Sequence, residues 1–285
     1  MLNIGFIGAG TTGTALASRL DQQGFMVRAV ASHSLTSARR LAGRLENCKV
    51  YNTPQEVSDN AHLVFITTPD DVIATVVNSV KWHERQYIVH CSGTHSLDII
   101  DAAKKYGAIS GAFHPLQTFA DIEQAFNNLP GSTFAIEAGE PLLATLKEMA
   151  IALKCDCVLL QAGDKALYHT AAVFSCNYLV TLVKLATDLW SDFGVDQGTA
   201  IRAMLPLLRG TLQNIQNIGL PNCLTGPIAR GDLGTIQKHI STLEKENPDV
   251  LGCYKLLGHH TIPIALAKGK IDAEGATQME KILST

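Results

Sequence analysis

An apolar run at residues 2–7 leads directly into Gly8-Ala9-Gly10-Thr11-Thr12-Gly13, and a helical pattern follows until Gly24. A G-x-G-x-x-G spacing alone carries little weight. Between a strand and a helix it fixes a turn in which each glycine has a separate task. Gly8 permits the tight turn, Gly10 lets backbone approach a pyrophosphate, and Gly13 lets the helix pack on the strand. The free N–H groups and positive dipole end of that helix favour an anion. Ala9, Thr11 and Thr12 complete the loop as candidate cofactor contacts. The plain alternative is a glycine turn that holds nothing.

Up to about residue 160, short apolar runs alternate with helical patterns. Strands are expected at residues 26–31, 63–67, 87–91, 108–113, 133–136 and 157–160. Thr53-Pro54-Gln55-Glu56 reads as a capping box, and Asp70 and Ser96 as helix caps. Such alternation gives right-handed βαβ units and a mostly parallel sheet. Beyond residue 160 only helical patterns occur. Residues 165–193 read as one long helix and 199–218 as another, with a kink at Pro206. Residues 219–231, rich in Gly and Pro, read as a loop, and three more helices follow. The expected fold is α/β: a Rossmann-type doubly wound parallel sheet over residues 1–160, then an all-α domain over residues 161–285 for substrate and dimerisation.

Composition narrows the partners. With 285 residues, 46% hydrophobic and 17% charged, the chain has material for a large packed core. Its net charge of −3 lacks the basic excess expected of a nucleic-acid binder. No basic leader or cleavage site stands at the start, so a cytoplasmic protein is expected. The seven cysteines are odd in number and include no Cys-x-x-Cys. Reduced, buried thiols and no metal site are expected. Residues 166–183 contain no Asp, Glu, Lys or Arg and approach the length of a membrane span. His169, Thr170, Ser175, Asn177 and Thr181 would be costly in lipid. A helix buried inside the protein or between two copies is expected instead, and with it a homodimer through the C-terminal helices.

The second strand ends at Ser32-His33-Ser34, where NAD-specific domains place an acid for the ribose 2′-OH. No Asp or Glu occurs between Asp21 and Glu46, whereas Arg28, Arg39, Arg40 and Arg44 do. Hydroxyl, imidazole and guanidinium groups suit a 2′-phosphate, which a carboxylate would repel. Ser32, His33, Ser34 and Arg39 therefore point to NADP(H), although Arg39 also fits a solvated helix face. Thr67-Thr68-Pro69 ends the next long strand and should meet the cofactor near its nicotinamide half.

Ser92-Gly93 and His114 through Gln117 end two further strands at the same edge, as candidate substrate contacts. Lys165 and His169 lie four apart, on one helix face. A lysine there can donate a proton to a carbonyl oxygen as hydride arrives. The alternative is a surface lysine near a helix start. The stretch from Thr225 to Asp232 presents Thr225 and Arg230 either to an anion or only to a helix connection.

These blocks carry a resemblance. Gly8–Gly13, Cys91-Ser92-Gly93, the run from Phe113 to Phe119, Lys165 with His169, and the run from Thr225 to Asp232 resemble one bacterial family. That family pairs a Rossmann-like NADP-oxidoreductase domain with a C-terminal domain of unknown function. Its superfamily includes 6-phosphogluconate dehydrogenase, 3-hydroxyisobutyrate dehydrogenase, ketopantoate reductase and pyrroline-5-carboxylate reductase. The resemblance implies a catalytic lysine at Lys165, with His169 where Asn is usual, and a substrate-binding turn at Ser92-Gly93. The expected activity is NADPH-dependent reduction of a small, anionic, ketopantoate-like 2-oxo acid. The alternatives are an imine reductase of the pyrroline-5-carboxylate reductase type and a non-catalytic NADP(H)-binding sensor.

Overall fold

A computed structural model of the chain describes residues 2–284. Its strands are β1 (Asn3–Ile7), β2 (Met26–Ala31), β3 (Lys49–Val50), β4 (Leu63–Ile66), β5 (Tyr87–His90), β6 (Ile109–Leu116), β7 (Thr133–Ala138) and β8 (Asp156–Leu159). They form one sheet in the order β3-β2-β1-β4-β5-β6-β7-β8. Every neighbouring pair is parallel except β6 and β7. Reversal at β4, next to β1, places a switch point beside the glycine loop, where such sheets bind ligands.

The central strands are apolar on both faces because helices cover both. On one face Phe6, Phe65, Phe113 and Phe134 pack with Leu16, Leu20, Leu146 and Met149. Phe113 and Phe134 stack at 3.8 Å across the antiparallel pair. On the other face Ile7, Ile66 and Ile88 pack against Ile73, Val77 and Ile100. The capping box at Thr53 forms: its Oγ1 accepts from Glu56 N, and Glu56 Oε2 accepts from Thr53 N at 2.9 Å.

By internal contacts the chain divides into two units, residues up to Asn177 and from Tyr178 onward. The second contains helices and no strand among its described residues. Its core joins Ile236, Ile240, Ile262, Met279 and Leu283 from helices Leu233–Glu246, Pro248–Ala267 and Ala273–Ser284.

Several local expectations change. The long helix expected over 165–193 is two, Asp164–Ser175 and Asn177–Ser191, broken at Cys176. Neither is buried by this chain: Leu167 is 78% and Val180 68% exposed. By length and composition alone, Asp164–Ser191 is apolar enough to cross a membrane. The expected loop at 219–231 contains the short helix Pro227–Arg230, started by its proline. The element after Ser96 is a 3-10 helix, Leu97–Tyr106, without a side-chain cap. Cys157 is exposed rather than buried, because it lies on the edge strand β8.

Candidate active site

The glycine loop joins β1 to helix Thr11–Gln22 and is locked to the end of β4. Gly8 has φ +108°, and a Cβ there would stand 2.6 Å from the Thr67 carbonyl carbon. A Cβ on Gly13 would collide with Thr67 Oγ1, which already donates to Gly8 O at 2.8 Å. A Cβ on Gly10 would meet nothing within 4 Å. Gly8 and Gly13 are thus demanded by the fold itself, while Gly10 leaves an open approach to the helix N-terminus, the feature a pyrophosphate needs.

A cavity of about 890 Å³ opens at this edge. Gly8, Ala9, Gly10 and Thr11 line it from the loop, Ser32, His33 and Ser34 from the end of β2, and Thr67, Thr68 and Pro69 from the end of β4. Thr12 and Gly13 are not in its wall. Arg40, not the expected Arg39, lines it together with Ser37. Residues three apart on a helix share a face, so Ser37 brings Arg40 with it and turns Arg39 away. No Asp or Glu side chain lines the cavity among the described residues. Ser34 is partly committed, since its Oγ accepts from Ser37 N at 3.2 Å as the cap of helix Leu35–Ala42. Thr68 Oγ1, just beyond the end of β4, is buried without a partner. Hydroxyl, imidazole and guanidinium groups without a carboxylate fit a dinucleotide that carries a ribose phosphate.

The next residue along, Asp70, connects this cavity to a second cluster. It starts helix Asp70–Ser79, but its carboxylate does not cap that helix. It accepts instead from Ser92 Oγ at 2.7 Å. Ser92 Oγ also accepts from Thr94 N and His95 N, at 3.2 and 3.1 Å, which fixes the turn after β5. Lys165, fully buried at the start of helix Asp164–Ser175, donates from Nζ to Ser92 O at 2.6 Å. One of its three N–H donors is thereby used.

Gly93 lies against two imidazoles: a Cβ there would stand 2.6 Å from His169 Cδ2 and 2.7 Å from His114 Nε2. The His114 and His169 rings meet edge-on at 6.2 Å. His114 Nδ1 hydrogen-bonds the Tyr168 hydroxyl at 2.8 Å. Ser92, Gly93, His114, Lys165 and His169, expected separately, are thus brought together. Gln117 is not among them. It is exposed, and its Nε2 donates to Asn128 O at 3.3 Å. Thr225 and Arg230 lie in the second unit, on a cavity of about 400 Å³ that Lys268 and Lys270 also line.

Burial dominates the electrostatics of the cluster. It brings Lys165 down to about 8, against the opposing pull of Glu137, Cys91 and Asp70. Burial first, and the Lys165 charge second, hold His114 down at about 4. Burial pushes the Tyr168 hydroxyl up to about 12. At neutral pH Lys165 is therefore an ammonium, His114 a neutral imidazole and Tyr168 a neutral phenol. Tyr168 and Glu137 were not singled out from sequence as site residues; Asp70 closed the turn expected to meet the cofactor, and Arg40 was weighed beside Arg39. Tyr168, the residue before His169, carried a signal, since a helix that brings Lys165 and His169 to one edge also carries it there.

Fold and glycine loop define a Rossmann-like protein of the dinucleotide-binding type. The comparisons with known proteins make that more specific. Residues 1–115 match the Rossmann-like domain family, and residues 132–261 match the family described as a domain of unknown function (DUF2520). The chain belongs to the proteins that join these two domains, the family its sequence resembles. A Bacteroides fragilis protein named for NADP oxidoreductase activity is similar at 26% identity and a TM-score of 0.72, over 92% of this chain and 98% of that one. A Thermotoga maritima protein is similar at 26% identity and a TM-score of 0.76, over 93% and 99%. A reductive aminase of Aspergillus terreus, solved with NADPH and ethyl-5-oxohexanoate, shares the fold at 16% identity and a TM-score of 0.63, over 100% and 93%. No curated protein matches the chain.

Proposed function

We propose that this protein is an NADP(H)-dependent oxidoreductase that reduces a small, anionic 2-oxo acid of the ketopantoate type to a hydroxy acid. One observation carries the reading. Thr67, Thr68 and Pro69 line the cofactor cavity, Asp70 holds Ser92, and the Ser92 carbonyl holds the Lys165 ammonium. A glycine-loop cavity without carboxylates is thus linked, residue by residue, to a proton-carrying cluster. The Bacteroides relative named for NADP oxidoreductase activity and the NADPH-bound reductive aminase support the same cofactor.

NADPH, when bound, supplies a hydride from its nicotinamide. Gly8, Ala9, Gly10 and Thr11 would hold its pyrophosphate, and Ser32, His33 and Arg40 its ribose phosphate. Lys165 supplies the proton, or the positive charge, for the carbonyl oxygen that becomes an alkoxide. His169 and His114 flank the gap at Gly93 and orient the substrate. A buried ammonium favours the alkoxide that forms as a carbonyl is reduced. In the second unit, Thr225, Arg230, Lys268 and Lys270 line a cavity of their own that suits an anion. Exposed apolar faces on the helices from Asp164 onward are the surface for a second copy of the chain.

The test is NADPH oxidation over a panel of 2-oxo acids and cyclic imines. Turnover with imines alone would replace the keto-acid reading, and no turnover together with tight NADPH binding would favour a sensor. Lys165→Ala should then lower turnover by about 10²–10⁴-fold while NADPH affinity survives. Retained turnover would remove Lys165 from the chemistry and make His114 the next candidate.

A further inference from the structure

Glu137 lies in the interior of β7, 6% exposed, where a carboxylate is costly. It serves neither the glycine loop nor the Ser92 turn. Its Oε2 is buried and has no hydrogen-bond partner, whereas buried acids kept for structure are normally hydrogen-bonded. Sheet register explains where it points. Ile66 pairs with His90, His90 with Ala112, and Ala112 with Glu137. Paired residues share a face, so Glu137 emerges on the face of His90, separated from it only by the Ala112 methyl. His114, two residues beyond Ala112 on β6, is on that face as well.

We infer that Glu137 is a positioning residue, the buried counter-charge that keeps the Lys165 ammonium charged at the Ser92–Gly93 turn. The inference deepens the proposed function and rests on its reading of Lys165. Around Lys165 stand Glu137 from β7, Cys91 from the end of β5 and Asp70 from helix Asp70–Ser79, with the imidazoles of His90 and His114 in the same field. Glu137 is the strongest of the groups that favour the charged lysine. Cys91 is a poor rival, since burial pushes its thiol up to about 12 and keeps it neutral. Asp70 is exposed at the opposite end of the cluster and already accepts from Ser92 Oγ. Burial pushes the Glu137 carboxyl above its ordinary value, with Asp98 and Asp164 adding to the rise; Lys165 is the strongest group opposing it, ahead of the Leu97 backbone N–H. A mutual pair of this kind, buried and off the reaction path, sets the proton affinity of the group that touches substrate.

The experiment follows Lys165 itself, in the NADPH-bound full chain carrying ¹³C-labelled lysine, with the signal assigned by its loss in Lys165→Met. Glu137→Gln should move the Lys165 titration midpoint down by about one pH unit, the usual effect of losing a nearby opposite charge. The high-pH limb of kcat/KM should move down with it. A Lys165 midpoint that does not move overturns the inference. A midpoint that moves while the rate profile stays put leaves Glu137 as the counter-charge and instead removes Lys165 as the acid. Should Glu137→Gln fail to fold, Lys165→Met gives the reciprocal reading with ¹³C-labelled glutamate. The Glu137 midpoint should rise in that variant, and an unchanged midpoint overturns the inference equally.

Discussion

Adding one methyl group at Gly93 tests whether the two imidazoles flank the reacting centre. Its backbone is not in the left-handed region, so Gly93→Ala carries no backbone strain and acts by volume alone. The new Cβ would stand 2.6 Å from His169 Cδ2 and 2.7 Å from His114 Nε2, where ordinary contact begins near 3.4 Å. The His169 ring must therefore retreat by about 0.8 Å and the His114 ring by about 0.7 Å. His114 cannot do so freely, because Nδ1 is tied to the Tyr168 hydroxyl at 2.8 Å. Its movement drags Tyr168, and with it the helix turn that carries Lys165. Overfilling of this sort costs about 1–3 kcal/mol of stability. A displacement near 1 Å of groups around a reacting atom costs about 10²-fold in rate, or roughly 2.7 kcal/mol of barrier. Turnover with the substrate found in the panel should fall by that factor, and NADPH affinity by fluorescence titration should hold, since no wall of the cofactor cavity includes Gly93. Wild-type turnover from a folded Gly93→Ala protein would refute the argument.

The cofactor cavity predicts that NADPH binds at least about tenfold tighter than NADH, about 1.4 kcal/mol, and that Ser32→Asp erodes the difference; equal Kd values in the wild type would contradict the carboxylate-free wall. The buried histidines predict acid sensitivity. Burial holds His90 at about 3 and His114 at about 4, below the ordinary 6.5. The unfolded chain therefore takes up protons between pH 6.5 and 4 that the folded chain refuses, so stability is lost as pH falls through that window. Each histidine contributes up to about 1.4 kcal/mol per pH unit there. Trp82 fluorescence in a Trp190→Phe background reports this for the first unit, and His114→Gln should flatten the slope; an unchanged slope would place the titration elsewhere. For assembly, light scattering at micromolar concentration should give a dimer, and Leu207→Glu, at a side chain 71% exposed, should shift it to monomer.

The two ends of the site differ in how much of them the residues announce. The cofactor end was legible because its chemistry is local. Gly8, Gly10 and Gly13 act within one turn, and the absence of acid after β2 is a property of a contiguous stretch. That Arg40 rather than Arg39 lines the cavity is a matter of one residue on a helix face, about 100° of rotation rather than of chemistry. Lys165 with His169 was legible for the same reason, since four residues on a helix make neighbours. Strand β3 escaped notice because Lys49–Val50 is only a short edge ladder.

The reacting end is assembled at long range, and there sequence patterns run out. Asp70 sits where a helix cap belongs, which is how it reads in isolation; only the return of the chain at Ser92, 22 residues later, gives its carboxylate a different hydrogen to accept. Glu137 is harder still. A single acid inside Thr-Phe-Ala-Ile-Glu-Ala looks like a solvent-facing strand residue, because an edge strand with one wet face would alternate in this way. Three facts bury it: β7 runs against β6, β8 covers its outer side, and the register sets it beside Ala112. None is visible before the strands are paired. A slip of one residue in the β6–β7 register would turn Glu137 to the phenylalanine face, where Phe113 and Phe134 stack. Pairing with Ala112 instead sets the carboxyl on the face of His90 and His114, where the Lys165 charge opposes the cost of its burial.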